Sequence, residues 1–385
     1  MNSHGVRVKL AVGMLLCGVV LALAASAAPA AKVDIHGFLL NRFYFDPGTA
    51  HFETERIGLQ ASAPLADDVS GLIEWYYHPW STTAPWYLES AYVDFKDKVG
   101  GRLRVGKGRS YVFGITPTGG MRKTSEYGLV SELFTQDRVI GLQYNTQPKR
   151  GVAWGVGVYD ALNLGSRAVA DNHVAGLAGN SHLCDRENTD RRALEAAARV
   201  TKQFTPALQV GLSVREARLS SNDLAFLRKN FNRAWTSRAK MRYGLDATYR
   251  GKDGLISNAE VYLARTSSLD HLAYALLVGY EPKNPNAMKA YVRWGVSNLN
   301  LSAADVDPAL PASTDPSTDP VYIAAKKLSD ELTADQQQLM LSLVQPIRPG
   351  VWVELAYIVN GQDTLTPGVK IPHNDVGFVE LCAMF

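Results

Sequence analysis

Apolar and polar residues alternate with a period of two along most of the chain. The final segment, Asp375 to Phe385, shows this alternation most clearly. Its residues Val379, Leu381 and Ala383 form an apolar row, whereas Glu380 falls on the opposite row. A period of two is typical of a β-strand whose two faces meet different surroundings. We predict about sixteen such strands of roughly ten residues, the length that crosses a bilayer when the strand is tilted.

The connections between these strands alternate in length. Even-numbered strands end in short turns such as K-D-K-V-G-G at 96–101, whereas most odd-numbered strands end in longer loops. The longest loops cover Ser110 to Gln136, Asp160 to Asp190, Leu219 to Ser237 and Asn300 to Asp335. Loops sorted in this way are typical of outer-membrane barrels. The sequence therefore predicts an all-β fold, a transmembrane antiparallel β-barrel of about sixteen strands with short periplasmic turns and long extracellular loops.

A barrel in a bilayer must close, because an unpaired backbone amide in hydrocarbon costs several kcal/mol. We therefore expect the last strand, Asp375 to Phe385, to pair with the first strand, Val33 to Phe45. Val379, Leu381 and Ala383 should then face lipid and Glu380 the lumen.

The N-terminal segment has the pattern of an export signal. Arg7 and Lys9 precede an apolar run, Leu10 to Ala25, which leads into small residues. This pattern predicts a signal peptide over residues 1–31 and a single barrel domain over residues 32–385, located in the bacterial outer membrane. The mean hydropathy of -0.10 excludes a helical membrane protein.

Charge and cysteine content add little to this picture. The 385 residues include 40 basic and 37 acidic side chains, a formal charge of +3. Loss of Arg7 and Lys9 with the signal peptide lowers that charge by two, to +1. A nearly neutral mature chain gives no support for a nucleic-acid partner. Cys184 and Cys382 would remain, and their spacing does not indicate a disulfide framework.

The predicted inner faces carry charged residues. The segment Arg238 to Arg250 places Lys240, Arg242 and Asp246 on the face opposite Tyr243. A barrel of this size encloses water, so a charged face can line its lumen. The same reasoning assigns five more pore-lining residues, which are Arg56, Arg102, Arg104, Lys289 and Arg293. A basic lumen favours anions; alternatively, the charges pair across strands and only keep the interior wet.

The loop Ser110 to Gln136 is a candidate for a pore constriction. The residues that could narrow the pore are Arg109, Tyr111, Arg122, Lys123 and Glu126. The alternative is a loop that stays on the surface.

Several segments resemble the phosphate-selective porin O and P family. They are Ala91 to Phe95, Gly106 to Ile115, Asp137 to Tyr144 and Trp154 to Asp160. The resemblance implies a sixteen-stranded, usually trimeric porin with a constricting loop. The segment Lys107 to Tyr111 lacks the proline of the family pattern, and no dense ladder of arginines and lysines is present. The resemblance therefore does not secure phosphate as the solute.

The partners follow from the barrel and from the resemblance. We expect outer-membrane lipid and lipopolysaccharide around the barrel, two further copies in a homotrimer, and small anionic or neutral solutes in the lumen. A terminal Phe385 with apolar residues at alternate positions resembles the signal that the barrel assembly machinery reads.

Enzyme signatures are missing from the sequence. No H-x-x-x-H spacing and no G-x-S-x-G motif occurs, so we expect no catalytic residue, no metal and no cofactor. His173 and His182, near Cys184, could bind a metal, although histidines in loops are more often only solvated. A secreted β-protein that acts as a binding module, or a hydrolase embedded in a barrel, remains an alternative.

Overall fold

The computed structural model describes residues 32–45, 50–79, 86–115, 124, 126–136, 138–161, 193–225, 236–267, 269–301, 335–363 and 375–385. The segment 1–31, for which a signal peptide is predicted, lies outside these residues, as do Arg122, Lys123, His173, His182 and Cys184. No helix in the described part of the chain is long and apolar enough to span a bilayer.

Sixteen antiparallel strands form one closed barrel in chain order. The strands are β1 (Asp34–Phe45), β2 (Ala50–Ala66), β3 (Val69–Tyr77), β4 (Trp86–Lys96), β5 (Arg102–Arg109), β6 (Arg138–Asn145), β7 (Val152–Asp160), β8 (Leu194–Gln203), β9 (Leu208–Arg218), β10 (Ala239–Arg250), β11 (Leu255–Thr266), β12 (Leu269–Tyr280), β13 (Lys289–Leu301), β14 (Asp335–Arg348), β15 (Val351–Asp363) and β16 (Val376–Met384). The predicted fold class and strand number are confirmed.

The barrel closes between β1 and β16, as predicted. Leu39 pairs with Ala383, and Arg42 pairs with Glu380. The seam continues to the end of the chain, where Gly37 and Phe385 exchange two backbone hydrogen bonds. No strand edge is left open there. The backbone N–H and C=O groups are therefore paired within the barrel, since the bilayer offers them no hydrogen-bond partners.

One end of the barrel, called the turn end here, carries only short connections. They range from residues 67–68 and 349–350 to residues 281–288. At the other end, the loop end, the connections include residues 110–137, 161–193 and 302–334. The predicted sorting of loops is therefore present, and the short exceptions at the loop end are residues 46–49, 78–85 and 267–268.

The strand faces follow the predicted alternation. On β10, Lys240, Arg242 and Asp246 are buried inside the barrel, whereas Tyr243 and Leu245 are about half exposed on its outer face. The outer belt is apolar around most of the barrel, and the core of the protein lies inside the lumen. On β16, Val379 and Leu381 are exposed on the outer face and Glu380 is buried inside, as predicted.

Two bulges add acidic residues to the lumen. On β2 the register skips Glu55 between Thr54 and Arg56. On β4 it skips Glu89 between Leu88 and Ser90. An extra residue in a strand lets two consecutive side chains turn to the same face. Glu55 and Arg56 are therefore both buried, as are Glu89 and Ser90.

Candidate pore constriction

The loop between β5 and β6, residues 110–137, is called the inner loop here, and its described residues, 110–115, 124 and 126–136, lie inside the barrel. Several of these side chains are deeply buried, with exposures of 0% for Val112, 1% for Phe113 and 3% for Tyr127. The backbone amide of Gly114 donates to the Ser213 hydroxyl on β9, 3.2 Å away. The loop therefore crosses the lumen from β5 and narrows it.

A short helix in the inner loop, α1 (Leu129–Phe134), packs against the inner faces of β11 to β13. All six of its residues are buried. The Phe134 ring stacks on Tyr262, with 5.0 Å between centroids and 10° between planes. Phe113 stacks on the same tyrosine at 5.5 Å, and Ala273 completes the apolar contact. Burial of a side chain such as Phe134 contributes about 1.5–3 kcal/mol to this docking.

The wall beneath α1 is built from small residues. Ala273 and Ala275 on β12 contact the cluster around Phe134. Gly295 on β13 lies so close to the helix that a Cβ atom there would come 3.2 Å from Val130 Cγ2. An inner face without bulk or charge at these positions leaves room for a helix inside the barrel.

The entry to α1 requires a glycine. Gly128 has φ +82°, and a Cβ atom there would come 2.4 Å from the Arg293 side chain. Arg293 in turn donates to the carbonyl oxygen of Glu126 at 2.8 Å. The next amide, that of Leu129, donates to the Gln338 side chain on β14 at 2.9 Å. Backbone groups that water cannot reach are thus satisfied by the wall.

Two adjacent residues of the inner loop connect different walls of the barrel. Glu126 lies 2.5 Å from the Arg42 guanidinium on β1, and Arg42 also pairs with Glu380 on β16. Tyr127 accepts a hydrogen bond from Arg109 on β5 at 2.6 Å. β5 and β13, which carries the Arg293 contact to Glu126, are half the barrel apart in strand order. The segment 126–127 therefore crosses the lumen and contacts opposite walls.

Buried ion pairs organise the rest of the wall. They are Arg104 with Asp94, Arg199 with Asp246, Arg215 and Lys240 with Glu195, and Arg109 and Arg138 with Glu89. Arg104 and Arg199 each bind their carboxylate through two hydrogen bonds. Aromatic rings lie over several of the guanidinium groups. Arg104 lies 3.4 Å from the ring centroid of Tyr92, and Arg42 lies 4.6 Å from that of Phe378. These pairs lower the net electrostatic field that the arginines would otherwise create.

The candidate residues from the sequence lie in different parts of the interior. Buried inside the barrel are Arg56, Arg104, Arg109, Glu126, Lys240, Arg242 and Asp246. Tyr111, Lys289 and Arg293 are partly buried there, and Arg102 is exposed near the turn end. Sequence reasoning missed Arg42, Glu55, Glu89, Tyr127 and Arg138. The alternation along β1 places Arg42 inside the barrel, and Tyr127 belongs to the loop that the sequence already suggests as a constriction. Glu55 and Glu89 turn inward only because of bulges, which the period of two does not indicate.

Two chambers open toward the turn end of the lumen. The first, of about 400 Å³ and called the basic chamber here, is lined by β2 to β6 and brings together Arg102, Arg104, Arg109 and Tyr111. The second, of about 500 Å³ and called the acidic chamber here, lies between β1 and β13 to β16. Its charged lining consists of Glu281, Lys289, Arg348, Glu354 and Glu380. The two chambers thus present opposite signs of charge.

The fold is that of the outer-membrane porins. The channel DcaP of Acinetobacter baumannii matches with a TM-score of 0.60 and 13% sequence identity, over 92% of this chain and 97% of DcaP. The anion-selective porin of Comamonas acidovorans matches with a TM-score of 0.53 and 11% identity, over 92% of this chain and 100% of that porin. The trimer form of OmpT, an outer membrane protein of Vibrio cholerae, matches with a TM-score of 0.55 and 12% identity, over 93% of this chain and 100% of OmpT.

Comparison of sequences does not assign the chain to a family. No protein-family model matches the chain, and no curated protein matches it. At identities of 11–13%, the structural likeness establishes the barrel architecture and leaves the solute open.

Proposed function

We propose that this protein is an outer-membrane porin that lets small hydrophilic solutes diffuse passively through its lumen. The observation that carries the proposal is the closed barrel of sixteen strands with a loop anchored inside a charged lumen. Even paired charges add little to stability when they are buried, so stability alone does not account for the many charges inside this barrel. A water-filled pathway needs such a lining.

A preference for anions, phosphate among them, is the finer part of the proposal. Arg102, Arg104 and Arg109 give the basic chamber its positive charge, which lowers the barrier for negative solutes. The pairing of Arg104 with Asp94 and of Arg109 with Glu89 limits that charge. We therefore propose a weak preference for anions, with neutral solutes also admitted.

Assembly as a homotrimer is proposed from the outer surface of β1 and β2. Asn41 lies on the same outward face as Leu39 and Phe43, and its side chain accepts a hydrogen bond from the Thr54 hydroxyl, 2.9 Å away. A polar pair in the middle of the apolar belt is unfavourable against lipid. Contact with a second copy of the chain would cover it, with the rest of the belt exposed to outer-membrane lipid and lipopolysaccharide.

Export and insertion complete the proposal. Residues 1–31 act as the signal peptide, and Phe385 acts as the signal for the barrel assembly machinery. We propose no enzymatic activity. The alternatives, a binding module or a hydrolase in a barrel, would each give a protein that passes no current.

Reversal potentials and liposome swelling test this proposal. Liposomes that contain the purified protein should swell in isotonic solutions of small sugars and organic acids, whereas liposomes without it should not. In a bilayer that separates two KCl concentrations, the reversal potential should show a weak preference for chloride. Absence of swelling from correctly folded protein would contradict the porin, and a potassium preference would contradict only the anion part.

A further inference from the structure

Three basic residues meet on the outer rim of the barrel at the turn end and are called the rim cluster here. Lys149 and Arg150 belong to the turn between β6 and β7, and both are exposed. Lys202 lies at the end of the adjacent strand, β8. Its Nζ atom donates a hydrogen bond to the carbonyl oxygen of Arg150, 3.2 Å away. The Lys202 ammonium group therefore lies at the backbone of two consecutive basic residues.

Lys202 faces the bilayer side of the barrel. Its partner in register, Val152, is 37% exposed on the outer face, and Val200, two residues earlier on β8, is 42% exposed there. Side chains two residues apart lie on the same face of a strand. A lysine at such a position keeps its methylene groups against apolar surface and carries its ammonium to the polar interface. The hydrogen bond of Lys202 to the turn has this direction.

Aromatic residues indicate that the rim cluster lies at the level of the lipid head groups. Trp154, on the outer face of β7, is 48% exposed. The centroid of its ring lies 5.5 Å from that of Tyr144 on β6. Tryptophan and tyrosine are enriched where a membrane meets water. The turn that carries Lys149 and Arg150 lies beyond this pair, on the side of the water.

No acidic residue of the turn or of its neighbouring strands offsets this charge. Residues 139–159 and 196–215 contain neither aspartate nor glutamate. On the adjoining turn between β4 and β5, the Asp97 carboxylate accepts hydrogen bonds from Tyr144 at 2.6 Å and from the amides of Val99 and Gly101 at 2.9 and 2.7 Å. The turn on the other side, residues 204–207, carries no charge. The rim cluster is therefore a local excess of positive charge.

The turn holds Arg150 in a backbone conformation that favours glycine or asparagine. Arg150 and Gly151 have φ angles of +51° and +74°, the geometry of a two-residue type I′ hairpin. Lys149 and Val152 exchange backbone hydrogen bonds of 2.8 and 3.0 Å around it, and the amide of Gln203 donates to the Gly151 carbonyl at 2.7 Å. The turn is thus tied to β8, and an arginine stands in it against the local preference. Residues in such conformations are often retained for a function.

We propose that the rim cluster binds the phosphate group of an anionic phospholipid in the periplasmic leaflet of the outer membrane. An ammonium group has three N–H donors, and the Arg150 carbonyl takes one of those of Lys202. The other two bind phosphate oxygens together with the Arg150 guanidinium. The acyl chains lie along the outer side chains Val152, Val200 and Trp154, an apolar contact that inorganic phosphate would not make. This proposal rests on the proposed insertion of the barrel into an outer membrane.

Native mass spectrometry of the purified protein in a nonionic detergent tests the site, with phosphatidylglycerol and phosphatidylcholine as the probes. Half of the protein should carry phosphatidylglycerol at a concentration at least about tenfold lower than for phosphatidylcholine, whose choline group offsets the phosphate charge. Arg150→Asn removes the charge and suits the turn, and it should weaken the binding of phosphatidylglycerol about fivefold. Lys202→Gln should weaken it similarly. The matched control is Lys252→Gln, at an exposed position beside Asp253 in the turn between β10 and β11, and it should leave the affinity unchanged.

Four results would overturn the site. They are equal binding of the two lipids, wild-type affinity in Arg150→Asn, an equal loss in Lys252→Gln, and displacement of the lipid by an equal concentration of inorganic phosphate. The mobility of unheated protein on a gel shows that each variant has folded. Conductance is measured separately: a protein that conducts without preferring phosphatidylglycerol keeps the porin function and loses this site. A protein that prefers this lipid without conducting keeps the site and loses the porin function.

Discussion

The Arg42 guanidinium on the first strand lies 2.5 Å from the Glu126 carboxylate of the inner loop, and both side chains are almost fully buried. Arg42 also pairs with Glu380 on the last strand. One arginine at the closing seam of the barrel therefore holds the loop that narrows the lumen. Arg42 therefore joins the seam to the constriction.

The first prediction concerns this contact. Glu126→Ala should loosen the inner loop while the barrel stays intact, because Arg42 retains Glu380 as its partner. Removal of one partner of a buried pair costs up to about 3–5 kcal/mol, and the retained pair should keep the loss below that range. Single-channel recordings should show larger and noisier conductance steps than those of the wild type.

The control for Glu126→Ala is Lys98→Gln, at an exposed position in the turn between β4 and β5. Its conductance should equal that of the wild type. Unchanged conductance in a folded Glu126→Ala protein would show that the inner loop does not limit the current.

The second prediction concerns the docking of α1. Phe134→Ala removes the ring that stacks on Tyr262. Loss of a buried phenylalanine costs about 3–5 kcal/mol, which should release the loop from the wall. Limited proteolysis should cleave the inner loop faster than in the wild type. Phe52→Ala, a substitution of the same type at a position 83% exposed, should leave the cleavage rate unchanged; equal rates for both variants would contradict the docking.

The barrel itself could be predicted from the sequence because its physical signal is repeated in every strand. A period of two, short turns at one end and the requirement for closure together fix the strand number and the pairing of the first strand with the last. Alternation alone predicts that Glu380 on β16 faces the lumen, and it is buried there.

The constriction could be predicted only in outline. The contact of Arg109 and Arg138 with Glu89 depends on the registers of three strands and on a bulge, none of which a local pattern encodes. A usable signal was nevertheless present on β12. Three successive inner residues, Ala273, Ala275 and Leu277, are apolar although they face a lumen. Such a wall indicates that another part of the chain covers it.

The third prediction concerns the seam. A Cβ atom at Gly37 would come 2.6 Å from the Phe385 ring, which covers this glycine. Gly37→Ala should displace the ring and cost about 1 kcal/mol of cross-strand contact. The temperature at which the protein changes its mobility on a gel should fall. At Gly71 the nearest atom to a new Cβ is 3.4 Å away, so Gly71→Ala is the matched control and should not lower that temperature.

The fourth prediction concerns Phe385 as an assembly signal. Its deletion removes the two backbone hydrogen bonds to Gly37, of 2.7 and 2.9 Å, together with the terminal ring. We expect less protein in the outer-membrane fraction, whereas barrels that do insert should have the conductance of the wild type. Phe385→Trp retains an aromatic terminus and should restore the membrane level. A normal level after the deletion would contradict this role.

We propose that the barrel is an open pore whose current is limited by the inner loop. The most direct test is the current through a planar bilayer after addition of the purified wild-type protein. We predict discrete, uniform conductance steps in KCl that do not appear with buffer and detergent alone. Folded protein that inserts into the bilayer without producing any step would contradict the claim.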